Sequence, residues 1–115
     1  MTTQSSSENS QHLYRIDKFK VPRPAHAEFM ERVRDTHSFL RTLRGFVRDA
    51  IFEQSVNSDL FHVISLVEWQ NAEVIESAKA AVAARFEADG FNPQEVRHRL
   101  GIEADIGTYV QAPAL

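Results

Sequence analysis

The sequence predicts an α+β sandwich whose elements follow one another as βαββαβ. Three observations lead there. Four short segments alternate apolar and polar residues with a period of two, the repeat of a strand. Two longer segments space their apolar residues by three or four, the repeat of a helix. Proline, glycine and asparagine stand between these segments, where each punctuates structure for its own reason.

The first strand is LYRIDKFKV, Leu13 to Val21, with Leu13, Arg15, Asp17, Phe19 and Val21 on one side. PRP ends it, because proline donates no ladder hydrogen bond. Pro24 suits the first position of a helix, and Phe29, Val33, Leu40 and Leu43 mark its apolar side as far as Arg44. Arg41 and Arg44 lie at its negative end, and Gly45 suits the cap beyond. FVRDAIFEQ (Phe46 to Gln54) and LFHVISLVEW (Leu60 to Trp69) are two strands joined by the turn residues VNSD, so they read as a hairpin.

Asn71 can cap the second long helix, with Glu73 in its positive first turn; Ile75, Ala78, Val82 and Phe86 run down one side and Gly90 ends it. NPQE (Asn92 to Glu95) holds a cap residue, a proline at the first helical position and a glutamate three after the cap. That short helix reaches Leu100 and Gly101, and the last strand runs from Ile102 to Val110. The order is the ferredoxin-like split βαβ: an antiparallel sheet with its helices on one face.

Length and composition bound the function. The chain has 115 residues, enough for one domain with one core. The expected division is a polar, Ser-rich tail over residues 1–11, a folded domain over 12–111 and a short tail over 112–115. Net charge is −3, which is no footprint for nucleic acid or an anionic membrane. No apolar run approaches the roughly 20 residues of a bilayer span, and the N-terminus has no apolar core of a secretion signal. Cysteine is absent, so thiolate chemistry is excluded. A cytoplasmic location is expected.

The third strand carries the sharpest structural inference. One side shows Leu60, His62, Ile64 and Leu66; the other shows Phe61, Val63, Ser65, Val67 and Trp69. Both sides are mainly apolar, yet the helices cover only one. A sheet face that meets water normally alternates with polar residues, so a second layer is expected. A second copy of the same sheet supplies it, giving a homodimer packed sheet on sheet. The face bearing Phe61, Val63 and Val67 is the one expected to lack cover within the chain.

Three stretches carry a family resemblance: YRIDKFKVPRPAHAEFMERV, LRTLRGFVRDAIFEQ and FHVISLVEWQNAEVIESA. With their L-x-x-x-GF junction and an apolar strand ending in tryptophan, they resemble the antibiotic biosynthesis monooxygenase family of dimeric α/β barrels. The family includes oxygenases that act on aromatic polyketides without a cofactor, and haem-degrading enzymes. The resemblance implies that Trp69 lies in a substrate cavity inside the barrel. A family asparagine on the same strand face falls on Ser65, a strand-two histidine near Phe52, and a tyrosine early in helix two near Ile75. The haem-degrading branch needs an asparagine on strand one, where this chain has Asp17. It also needs a histidine on helix two, and Asn71 to Gly90 contains none, so haem degradation is not expected. No cofactor is implied.

The candidate site follows from that face. If Phe52 and Trp69 look into the barrel, strand alternation adds Arg48; strand one contributes Arg15 and Asp17, and strand four Asp105 and Tyr109. Asp17 and Trp69 are the candidate catalytic residues. Arg15, Arg48, Phe52, Ser65 and Tyr109 are the candidates for binding substrate. Arg15 or Arg48 pairing with Asp17 or Asp105 is the plain structural alternative, since buried charges are costly unless paired. His26 and His37 stand about 16 Å apart along a helix and cannot share a metal. His98 lies between two arginines, and no metal site is expected. Two functions fit: a cofactor-independent monooxygenase acting on a small phenol or quinol, or a non-catalytic homodimer that binds a small hydrophobic ligand.

Overall fold

The computed structural model describes residues 11–114; most of the expected N-terminal tail and the final Leu115 lie outside them. Strand β1 spans Leu13–Pro22, helix α1 His26–Leu40, β2 Phe46–Ser55, β3 Leu60–Trp69, α2 Ala72–Asp89, α3 Pro93–Leu100 and β4 Glu103–Tyr109. The strands form one antiparallel sheet in the order β2-β3-β1-β4. This is the ferredoxin-like arrangement, with α3 as a short third helix before the last strand.

The punctuation acts locally as its chemistry requires. The Asn71 side chain accepts the Val74 N–H at 3.0 Å, and the Asn92 side chain accepts the Glu95 N–H at 3.2 Å. Gly90 and Gly101 end their helices at φ 67° and 72°, in the left-handed region. Phe91 folds back onto Phe86 with ring centroids 5.0 Å apart. Helix α1 differs from expectation at both ends. Arg23–Ala25 is a single 3-10 turn, so Pro24 precedes the α-helix. Beyond Leu40 the chain tightens into three-residue turns, with the N–H groups of Thr42 and Leu43 bonded to the carbonyls of Phe39 and Leu40. These turns deliver the chain to Gly45, which takes φ 88° against the side of Val74.

The helices cover the face that was expected to be open. Val63 is fully enclosed, in a cluster with Phe19, Val21, Phe29, Met30 and Val33 beneath α1. Val67 and Trp69 lie in a second cluster with Val74, Ile75 and Ala78 of α2. The expected dimer face is therefore corrected: Phe61, Val63 and Val67 form part of the monomer's own core. Period two in β3 separates the two sides but does not say which one the crossover helices take. The uncovered face bears Leu60, His62, Ile64 and Leu66 of β3, and their partners Lys18, Lys20 and Ile16 of β1 and Phe52 and Gln54 of β2.

Candidate functional site

Between the two clusters the helices stand away from the sheet and leave a cavity of about 390 Å³. Its walls are mostly apolar: Phe29 and Val33 of α1, Val67 and Trp69 of β3, and Val82 and Phe86 of α2. A mainly apolar cavity with a few convergent polar groups is the usual profile of a small-molecule site. Trp69 belongs both to the cavity wall and to the core cluster under α2. It is 3% exposed, meets Phe46 edge to face at 5.9 Å, and lines the cavity.

Strand β1 supplies two charges to this space. Arg15 and Asp17 are two residues apart, so both side chains leave the same face of the strand. The Arg15 Nε and Asp17 Oδ1 atoms are buried without a hydrogen-bond partner among the described residues. No ion pair joins the two side chains, so the structural alternative of an Arg15–Asp17 pair is not realised in the monomer. Burial pushes the Asp17 carboxyl above its ordinary range, and the charges of Arg15, His37 and Arg97 offset only part of that. An unsatisfied buried polar group costs about 1–3 kcal/mol. Two of them facing one cavity need an explanation, and a ligand's polar atoms are one.

Beside these charges, starting at Ser65, the ladder partner of Asp17, runs a hydrogen-bonded chain of three side chains. His37 of α1 is 3% exposed. Its Nδ1 lies 2.8 Å from Asp49 Oδ2 and its Nε2 lies 2.7 Å from Ser65 Oγ. Arg41, one helical turn on, also donates to Asp49, with Nε 3.1 Å from Oδ2. Burial tends to raise the Asp49 carboxyl, but the hydrogen bonds from His37 and Arg41 prevail and hold it below its ordinary value. Asp49 is thus a carboxylate that can only accept. His37 therefore donates through Nδ1, and in the neutral ring Nε2 accepts. With the ring neutral, the Ser65 hydroxyl donates to Nε2 and keeps both of its acceptor lone pairs.

Four of the seven sequence candidates meet here: Trp69, Asp17, Arg15 and Ser65 all line the cavity. They face the helices, not the space between two sheets, so the expected location inside a sheet-on-sheet barrel is corrected. Arg48, Phe52 and Tyr109 do not join them. A β-bulge in β2 explains the first two. Phe46 lies opposite Trp69 and Arg48 opposite Glu68, so Val47 is an extra residue that turns the rest of β2 over. Arg48 then reaches Glu68 on the uncovered face, Nε to Oε1 at 2.7 Å, and Phe52 lies on that face 55% exposed. In β4 the register pairs Asp17 with Ile106 and Arg15 with Thr108. Tyr109 accordingly falls opposite Tyr14 on the uncovered face, and Asp105 pairs there with Lys18 at 4.0 Å. Ile75, where the resemblance puts a tyrosine, lines the cavity with an apolar side chain.

His37 and Asp49 were missed as site residues. One signal in the sequence points to His37: it follows Phe29 and Val33 at intervals of four, as a polar residue on the apolar stripe of α1. Nothing comparable marks Asp49, whose inward direction depends on the bulge.

No protein-family model and no curated protein matches the chain. Solved structures do. SnoaB, a cofactor-independent oxygenase from Streptomyces nogalater, superposes with a TM-score of 0.66 at 20% identity over 91% of this chain and 97% of that one, in the form of an asparagine-to-alanine mutant. A dimeric ferredoxin-like protein from an uncultured marine organism gives 0.64 at 13% identity, covering 91% and 99% of the two chains. A candidate antibiotic biosynthesis monooxygenase from Bacillus cereus gives 0.59 at 14%, covering 91% and 97%. The chain shares the fold of the antibiotic biosynthesis monooxygenases.

Proposed function

We propose that this protein is a cofactor-independent monooxygenase acting on a small, electron-rich aromatic, a phenol or quinol, bound beside Trp69. The observation that carries the reading is the unpartnered pair of buried charged atoms, Arg15 Nε and Asp17 Oδ1, on side chains that line a mainly apolar cavity. An aromatic ring suits the apolar walls, and a ring hydroxyl suits the two orphaned polar atoms. The shared fold with a cofactor-independent oxygenase supports the same reading.

In such a reaction the substrate anion itself passes an electron to O₂. The protein has to keep the pocket dry, favour the anion and hold the charge that develops. Arg15 is placed to hold that charge, and Trp69 to stack against or flank the ring. Asp17 is a candidate base: its raised carboxyl lies nearer to neutrality than an ordinary aspartate and is the better proton acceptor for it. Haem is a poor fit to the same space, because both ring nitrogens of His37, the histidine that lines it, are already engaged.

The proposed assembly is a homodimer through the uncovered sheet face, where Ile16, Ala50, Ile64 and Leu66 are half-buried and Phe52 is exposed. A second reading, a non-catalytic binding protein of the same fold, has an observation in its favour: Ser65 and Ile75 stand where the resemblance places an asparagine and a tyrosine. One experiment separates the two. Planar phenols and quinols, added to the protein free of flavin and metal, should quench Trp69 fluorescence saturably and support oxygen uptake. Trp69→Phe should remove the optical signal. Saturable quenching with no oxygen uptake across the panel favours the binding protein, and no quenching at all rejects the cavity as the site.

A further inference from the structure

Both ring nitrogens of the buried His37 are partnered, as a buried imidazole requires. What sets this chain apart is that its outer member, Ser65, lines the cavity beside Arg15 and Asp17. We propose that Ser65, His37 and Asp49 form a proton relay that takes the proton from an acidic hydroxyl of a ligand bound beside Arg15. This rests on the aromatic-ligand reading above and assigns the base for it.

Proton bookkeeping follows from the hydrogen-bond polarity. Asp49 is an acceptor only, so His37 Nδ1 carries a proton, and in the neutral ring, the form the relay starts from, Nε2 accepts from Ser65. A ligand hydroxyl in the cavity can donate to a free lone pair of Ser65 Oγ. When its proton moves to Oγ, the Ser65 proton passes to His37 Nε2, which lies 2.7 Å from Oγ. The ligand becomes an oxyanion, Ser65 is unchanged, and His37 becomes an imidazolium on the Asp49 carboxylate. No electron moves in this step. Separated charges are costly in a low-dielectric site, and two features offset that cost: Asp49 lies against the imidazolium, and Arg15 faces the space where the oxyanion forms. The same ring-nitrogen assignment, Nδ1 to carboxylate and Nε2 to hydroxyl, orients a histidine as base in serine hydrolases.

Other charges face His37. Arg41 of its own helix holds Asp49, Asp17 of β1 neighbours Ser65 across the ladder, and Arg15 of β1 and Arg97 of α3 line the same cavity. Asp17 lies close enough to be the rival base. The relay differs from Asp17 in having a place to send the proton, on a buried group whose partner stays ionised.

The test reads ionisation of a ligand without turnover. 4-Nitrophenol is yellow only as its phenolate. Bound to saturating wild-type protein, it should ionise with an apparent pKa at least one unit below that of the free phenol, a tenfold change in its ionisation constant. Ser65→Ala and His37→Gln should each lose most of that shift while still binding the phenol, and Asp49→Asn should lose part of it. Circular dichroism checks each fold, and Asp49→Asn, farthest from the cavity, stands in if His37→Gln does not fold. A shift that survives His37→Gln and Ser65→Ala but vanishes in Asp17→Asn or Arg15→Met overturns the relay. So does a bound phenol that shows no shift in the wild type, which leaves the aromatic-binding reading standing. Ionisation without oxygen uptake on any phenol supports the relay and rejects the oxygenase reading.

Discussion

Gly45 joins α1 to β2, and replacing it with alanine should destabilise the fold in two separable ways. The first is backbone. Gly45 has φ 88°, and a residue with a Cβ placed in left-handed space costs about 1–2 kcal/mol. The second is contact. A Cβ built on Gly45 would lie 2.6 Å from Val74 Cβ, 2.6 Å from its Cγ2 and 2.7 Å from its Cγ1. Ordinary carbon contacts are about 3.5–4.0 Å, so close to an ångström must open. Val74 cannot rotate out of the way, because its Cβ is among the clashing atoms, and its N–H is held by the Asn71 cap. Overpacking of this kind costs about 1–3 kcal/mol. The sum is about 2–5 kcal/mol, a large share of the roughly 5–15 kcal/mol that holds a domain together. Urea unfolding followed by Trp69 fluorescence, at fixed protein concentration, should show the midpoint fall with the slope unchanged. Val74→Ala removes two of the three contacts, so Gly45→Ala should cost about 1 kcal/mol less in that background. A loss below about 1 kcal/mol, or strict additivity of the two changes, would refute the contact account.

Asp17→Asn should raise stability near neutral pH. The folded carboxyl has a raised pKa, so its ionisation weighs against the fold as pH climbs above the unfolded value of about 4; below that value both states are protonated and the difference should vanish. Melting curves at acidic and neutral pH check the sign, and a variant no more stable than wild type at neutral pH contradicts it. In the oxygen-uptake assay the same variant should keep most of its rate with the Ser65–His37–Asp49 relay as base; a loss of rate larger than the loss of binding identifies Asp17 as the group acting in the transition state. Phe52→Glu should leave the monomer fold intact and break the proposed dimer, because Phe52 is exposed in the monomer and is a large apolar side chain on the uncovered face. Light scattering should then show half the wild-type mass; a monomeric wild type at micromolar concentration sinks the dimer outright.

Local chemistry was legible in the sequence, and direction was not. Period two in the four strands, the caps at Asn71 and Asn92 and the left-handed glycines at 45, 90 and 101 each depend on a few neighbouring residues, so the element order could be written from the chain alone. Trp69 and Ser65 could be placed on one strand face for the same reason, and Arg15 and Asp17 on another. Which face of the sheet receives the helices is a property of the crossovers. Packing decided that Val63 and Val67 go under α1 and α2, and that Leu60, Ile64 and Leu66 stay uncovered. A single extra residue then decided half of the site. The bulge at Val47 turns Asp49 toward the helices and Arg48 and Phe52 away from them. Bulges arise from pairing between strands, here β2 against β3, and leave no reliable mark on either strand read by itself. The register of β4 against β1 likewise sends Ile106 inward and Tyr109 out. The contact between His37 and Ser65 joins residues 28 apart. It exists only because α1 crosses the sheet where β3 carries its serine, and tertiary structure alone brings those two together.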